Sequence, residues 1–175
     1  REWMEGGGPP PAVRNFSFDA DRWRTVTSRQ RALYQSTMAL LLSGGPLDFH
    51  EVSKLSAHII QGHSVDDHHI FPQAWLKANG YEEWPDTVLN HTLIDKITNI
   101  IISGNAPSHY LALIRESLRD ELPLILESHG LPSAENGPLF EDRFEDFLDW
   151  RVGHLAARLS EVTGTTVNPQ GDSPD

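Results

Sequence analysis

The sequence predicts an α+β fold, mostly helical, with helices packed around a small two-stranded ribbon. Three observations predict it. Apolar residues recur at helical spacing along most of the chain. Two short extended runs border the stretch from Val65 to Leu93, and Asp95, a residue that caps helices, follows the second run. The order implied for the centre of the chain is strand, loop, strand, helix. At 175 residues the chain has the length of one ordinary domain that can bury a core.

Residues 1–14 contain G-G-G-P-P-P and read as a flexible linker or arm, with the domain proper expected over 15–163. Phe16, Phe18 and Trp23 supply apolar anchors. Thr27 with Gln30 forms a capping box for a helix through Ala32, Leu33, Met38, Leu41 and Leu42, ended by Gly44, Gly45 and Pro46. Asp48 with Glu51 repeats the signal, and Phe49, Val52, Leu55 and Ile59 predict a second helix reaching Gly62. His50, His58 and His63 fall in this region; their spacings match no tight metal pattern, so they read as surface or capping residues.

The first extended run, V-D-D-H-H, ends at His68 and His69, because Pro72 cannot continue a central strand. A short helix over Ala74–Ala78 closes at Asn79-Gly80, and Trp75, Leu76, Tyr81 and Trp84 read as packing that fixes the loop. Stacking on a nucleic-acid base is the other role open to these aromatics. The second run is expected over Val88–Leu93, and Asp95 then caps a helix that holds Asn99 one turn in.

Gly104 stops that helix and Pro107 opens the next, with Tyr110, Leu111, Ile114, Leu118 and Leu122 on one face. Leu124–His129 is another apolar segment, ended by Gly130 and Pro132. The stretch from Ser133 to Pro138 reads as a loop. Phe140, Phe144, Phe147, Leu148, Leu155 and Leu159 define a long amphipathic helix, with Arg151 on or beside its apolar face and expected to pair with a carboxylate. Residues 164–175 are polar, rich in Gly and Pro, and expected to be disordered.

The central motif resembles a known family. H-H-I-F-P-Q followed by Asn90 and Asn99 is similar to the ββα-metal motif of HNH nucleases. H-H-I-F-P-x-A-W-L, L-N-x-T-L-I, T-N-x-x-I-S-x-N-A-P-S-x-Y-L and L-E-S-H-G-L-P narrow the likeness to the C-terminal nuclease domain of GmrSD-type type IV restriction and Ssp-type phage-defence proteins. The similarity covers residues 28–159 approximately. It implies a metal-dependent DNA endonuclease that nicks DNA within an anti-phage restriction system, and two partners: DNA, and an upstream ParB-like nucleotide-hydrolysing domain of the same protein.

Hydrolysing a phosphodiester needs a base for water and a cation to hold charge on the departing oxygen. His69 is the candidate base, since a neutral imidazole titrates near working pH. His68 and Asn99 are the candidate metal ligands, and the resemblance gives Asn90 the role of orienting the loop that holds the base. Neighbours on a strand point to opposite faces, so His68 and His69 share one centre only if the backbone kinks there. Taken alone, the two histidines are equally compatible with ordinary polar loop positions. Many HNH sites have Asp where His68 stands and a third His where Asn99 stands. With no carboxylate among the ligands, Mg²⁺, the expected ion, would bind mainly through water and substrate phosphate; imidazole also suits Mn²⁺, Co²⁺ or Ni²⁺. Asp67 and Lys96 are further candidates, with Asp66 beside them, though a solvated loop charge explains each Asp as well.

Composition narrows the rest. The chain contains no cysteine, which excludes disulfide staples and thiolate zinc sites and fits a cytoplasmic protein. No apolar run is long enough to span a membrane and no signal peptide is visible, so no membrane partner is expected. Arg1 in place of Met suggests a piece of a longer protein. The formal net charge of -11 argues against a freestanding DNA binder, whereas a domain tethered to a DNA-engaging partner tolerates weak affinity. Two other readings fit the same residues: a catalytically inactive HNH-fold interaction module, and an RNase using the same site.

Overall fold

The fold is α+β, seen in a computed structural model that describes residues 10–27, 29, 31–49, 52–56 and 65–169. A single helical turn, α1 (Pro11–Arg14), and a 3₁₀ segment (Ala20–Thr25) lead into α2 (Ala32–Leu42). Strand β1 (Val65–His69) follows, then α3 (Gln73–Ala78), a 3₁₀ turn (Val88–Asn90), strand β2 (His91–Asp95) and α4 (Lys96–Ile102). Helices α5 (Pro107–Leu118), α6 (Leu122–Ser128) and α7 (Phe144–Thr163) complete the order.

The two strands form an antiparallel ribbon that pairs Val65 with Asp95, Asp67 with Leu93, His68 with Thr92 and His69 with His91. Asp95 ends the ribbon and starts α4 in one step, because its carboxylate accepts the Thr98 N–H at 2.6 Å. Helix α4 packs across both strands. Strand, strand, helix is therefore the observed order at the centre, with Asn99 in the helix as expected.

Beneath the ribbon lies the core. Phe71 is wholly buried and its ring meets those of Phe144 and Phe147 at 5.2 and 5.3 Å. Burying such a ring is worth about 1.5–3 kcal/mol relative to leaving it in water. Tyr110 donates its hydroxyl to the Ile70 carbonyl at 2.9 Å, which ties α5 to the strand end. Trp75 stacks on Tyr81, and Tyr81 and Trp84 both pack edge-on against Phe144. The aromatics of the 70–85 stretch thus hold the loop between the strands, as their composition suggested.

Several expectations are corrected. The second extended run does not begin at Val88: Thr87 caps a 3₁₀ turn there, its hydroxyl oxygen accepting from Leu89 N–H, and extension starts only at His91. Helix α2 begins at Ala32, not at Thr27, because the Val26 carbonyl is taken by Val88 N–H at 2.8 Å and holds the chain extended. Gln30 lies outside the described residues. So do Glu51, Ile59, Gly62, His50, His58 and His63. Up to Lys54 that second predicted helix is instead a turn, in which Leu47 bridges Lys54, Asp48 N–H donates to Ser53 at 2.7 Å and Val52 takes φ 54°; Leu55 and Ser56 are helical.

Leu122 opens α6 and is not part of α5, since Arg119 adopts φ 46° and breaks the run. Leu124 is exposed, and the buried residues of α6 are Leu122, Ile125 and Leu126. Arg151 is fully buried, donates to the His91 carbonyl at 3.1 Å and sits over Phe147; no carboxylate among the described residues pairs with it. Residues 164–169 are not disordered, because Val167 is buried and Thr165 donates its hydroxyl to the Val13 carbonyl. Among the described residues no helix is long and apolar enough to cross a membrane.

Candidate functional site

The candidate site forms where β1 ends, because three local devices converge there. Asn90 is almost wholly buried and uses both ends of its amide on one residue: Phe71 N–H donates to Oδ1 at 2.8 Å, and Nδ2 donates to the Phe71 carbonyl at 2.9 Å. Its own carbonyl accepts from Ile70 N–H at 2.9 Å. The backbone just beyond His69 is thereby fixed by three bonds to one residue.

His69 is mostly buried, and both of its hydrogen-bond contacts are at Nε2: Asp86 Oδ1 at 2.6 Å and the Gln73 amide at 3.2 Å. Burial pulls the ring's pKa below its ordinary value, and the neighbouring His91 and Arg29 add to this against the opposing pull of Asp86. The imidazole is therefore neutral at working pH. The pKa of Asp86 also lies low: burial alone would raise it, but the bonds from His91 and His69 outweigh that. An ionised carboxylate only accepts, so the His69 proton sits on Nε2 and Nδ1 keeps its lone pair. The Gln73 amide can turn its oxygen to the same N–H.

His68 lies next to His69, with ring centroids 6.4 Å apart and planes at 73°. Its Nε2 is buried and has no hydrogen-bond partner among the described residues. Burial, followed by the proximity of His69 and His91, holds its pKa below the ordinary histidine value. A neutral ring with an orphaned inward nitrogen is a donor atom in want of a proton or a cation. Asn99 is half-buried on α4, the helix packed across the ribbon, and Lys96, at the first position of that helix, is exposed.

A second cluster was not foreseen in the sequence. His91 stands opposite His69 in the ribbon, their ring centroids 4.3 Å apart, and is almost fully buried. Its Nε2 meets Asp86 Oδ1 at 2.9 Å and its Nδ1 meets Asp67 Oδ1 at 2.7 Å. Asp67 also accepts the Tyr34 hydroxyl at 2.7 Å and pairs with Arg29 at 3.2 Å. Burial would raise the Asp67 carboxyl, but these partners leave it below the usual range. Asp67 is thus an anchored structural carboxylate rather than a solvated loop charge; Asp66 projects to the exposed side. The signal for His91 was present in the strand pairing: once His69 is placed opposite His91, Asp67 falls on the same face. Asp86 comes from an irregular loop and had no such signal.

His129, part of the L-E-S-H pattern, is buried away from this cluster, with Nε2 donating to the Leu47 carbonyl at 2.7 Å and Nδ1 accepting from Thr92 at 2.8 Å. Both nitrogens are satisfied, so it is a core residue. A cavity of about 360 Å³ opens beside His69 and is lined by Gln73, Tyr81, Trp84, Asp86 and Asn90 among others.

Comparison with known proteins adds one relative. The chain is 30% identical over 116 residues to an uncharacterized protein of Methanocaldococcus jannaschii, MJ0686. The match covers 63% of this chain and 19% of that protein's length, so the chain spans about a fifth of the relative. No family model matches the chain, and no solved structure matches it.

Proposed function

We propose that this domain is a metal-dependent endonuclease of the HNH (ββα-metal) type that hydrolyses a phosphodiester of DNA. The observation that supports it most is the 2.6 Å contact of His69 Nε2 with Asp86 Oδ1. Asp86 holds the proton on Nε2, so Nδ1 is a free base at the end of a strand whose continuation Asn90 locks in place. In this reading His69 Nδ1 takes a proton from water, and the resulting hydroxide attacks phosphorus opposite the departing oxygen. Asn90 contributes by positioning and touches no reacting atom.

His68 and Asn99 would hold the divalent ion. The fit rests on the orphaned, buried Nε2 of His68 and on the packing of α4 against the ribbon that bears it. When bound, Mg²⁺ or a similar ion supplies Lewis-acid stabilisation of the charge that develops on the phosphoryl and leaving oxygens. One such centre cuts one strand, so nicks are the expected product. Recognition of modified or phage DNA, dependence on a nucleotide and the restriction role would belong to an upstream ParB-like domain, a reading that rests on the sequence resemblance alone.

The net charge of -11 favours a second reading, a non-catalytic module that docks to a partner. One experiment separates these readings and also tests RNA. Supercoiled plasmid and labelled RNA are incubated with the domain in Mg²⁺ or Mn²⁺, wild type beside His69→Ala. Nicked plasmid is expected, with the variant slower by about 100-fold or more, the range for losing a general base. Cleavage that survives in His69→Ala removes the base assignment, and no cleavage of either substrate by the wild type leaves the docking module.

A further inference from the structure

His69, Asp86 and His91 each direct one ligand atom toward a common point, and these atoms all lie within 4.8 Å of one another. They come from three places: the end of β1, the loop ahead of the 3₁₀ turn, and the start of β2. Two imidazoles and one carboxylate form a donor set for first-row transition metals rather than for Mg²⁺, which prefers oxygen. Asp86 is about half exposed, which leaves the outer side of the cluster open to a water or another ligand.

Two further observations point to a cation there. The first is the support behind His91. Its outer nitrogen is bonded to Asp67, which Tyr34 and Arg29 hold in turn. A carboxylate behind an imidazole fixes the ring's orientation and strengthens the ligating nitrogen, the arrangement found behind metal-bound histidines. The second is charge. Carboxylates of Asp67 and Asp86 stand at the two nitrogens of His91, at 2.7 and 2.9 Å, so negative charge is gathered on both sides of the ring. A dication between Asp86, His91 and His69 offsets it.

We propose that His69, Asp86 and His91 form a site for a transition-metal dication of the Zn²⁺ class, separate from the His68/Asn99 ion, and that filling it switches off His69 as a base. Any proton on His91 Nε2 leaves to solvent when the ion binds, while Nδ1–H points at Asp67. At His69 the ion takes the Nε2 lone pair, so the ring's single proton moves to Nδ1. The atom that would accept a proton from water becomes a donor. The switch rests on the nuclease reading; the metal site does not.

The test is therefore made first without nucleic acid. Zn²⁺ is titrated calorimetrically, and Co²⁺ is followed by its visible absorption, into wild type, Asp86→Ala, His91→Gln and His68→Ala, with circular dichroism as a check on folding. Saturable binding of one equivalent is expected in wild type and in His68→Ala, and weakening by at least about tenfold in Asp86→Ala, whose side chain is exposed enough to be replaced without unfolding. Binding lost in His68→Ala and kept in Asp86→Ala, or no saturable binding in wild type, overturns the site. Plasmid nicking in Mg²⁺ is then followed with rising Zn²⁺. Inhibition that tracks occupancy is expected, with a higher half-inhibiting concentration in any active Asp86→Ala. An unchanged rate at full Zn²⁺ occupancy overturns the switch and leaves the site.

Discussion

Asn90 closes a two-bond ring with the backbone of Phe71, accepting its N–H at 2.8 Å and donating to its carbonyl at 2.9 Å. A side-chain amide has one acceptor and one donor end, and this geometry needs both.

Asn90→Ala leaves a buried N–H and a buried carbonyl unpaired, at about 1–3 kcal/mol each, so a loss of roughly 2–6 kcal/mol is expected in urea denaturation. Asn90→Asp keeps the acceptor but sets a carboxylate against the Phe71 carbonyl, and it is expected to be no more stable than the alanine variant. Nicking should fall in both. A stability change within about 0.5 kcal/mol of wild type would mean that the loop holds itself.

Asn99→Ala and His68→Ala are expected to weaken Mg²⁺ activation, and in Asn99→Ala excess Mn²⁺ should restore part of the activity, because the remaining His68 imidazole favours it over Mg²⁺. Metal-activation curves for the two ions are the measurement. Curves identical to wild type for Asn99→Ala would take that residue out of the ligand set.

A pH prediction comes from His129. Burial, helped by the Arg151 charge and opposed by the bond to Leu47, pulls its pKa from 6.5 to about 4. Between those values the unfolded chain holds a proton that the folded chain refuses. The contribution of the neutral buried ring is complete above pH 6.5 and is lost as pH falls toward 4, at about 1.4 kcal/mol per pH unit. Melting curves across this window should show a gentler slope in His129→Gln than in wild type. Equal slopes would show that another group governs acid sensitivity.

DNA affinity should be low. The chain has 14 Lys and Arg against 25 Asp and Glu, and Arg29, a cation beside the cluster, is already paired with Asp67. Fluorescence anisotropy on a labelled duplex in moderate salt is expected to give a Kd no tighter than roughly 10⁻⁴–10⁻⁶ M, without sequence preference. A nanomolar, selective complex would contradict the tethered-domain account, in which a partner supplies local concentration.

What could be read from the sequence was set by local rules. The strand ending before Pro72, the Asp95 cap and the Gly80 stop each follow from one or two residues, and the structure has all three. The missing parts depended on contacts distant in sequence. The apolar spacing of Phe49, Val52 and Leu55 suits a helix, yet Val52 adopts a left-handed φ that β-branched residues rarely take. Asp86 has a meaning only beside His69 and His91, after the ribbon has closed. Arg151 looked like a partner for a carboxylate because a buried charge normally has one; a backbone carbonyl and a ring face stand in its place.

That bond between Arg151 and the His91 carbonyl joins residues 60 positions apart, and Phe71 rests on the same late helix. During synthesis the ribbon leaves the ribosome well before the helix on which it rests. A nascent chain stalled ahead of Phe144 would possess His68, His69, Asn90 and Asn99 and still lack the floor that aligns them. The alignment of these residues therefore arrives only with this late helix.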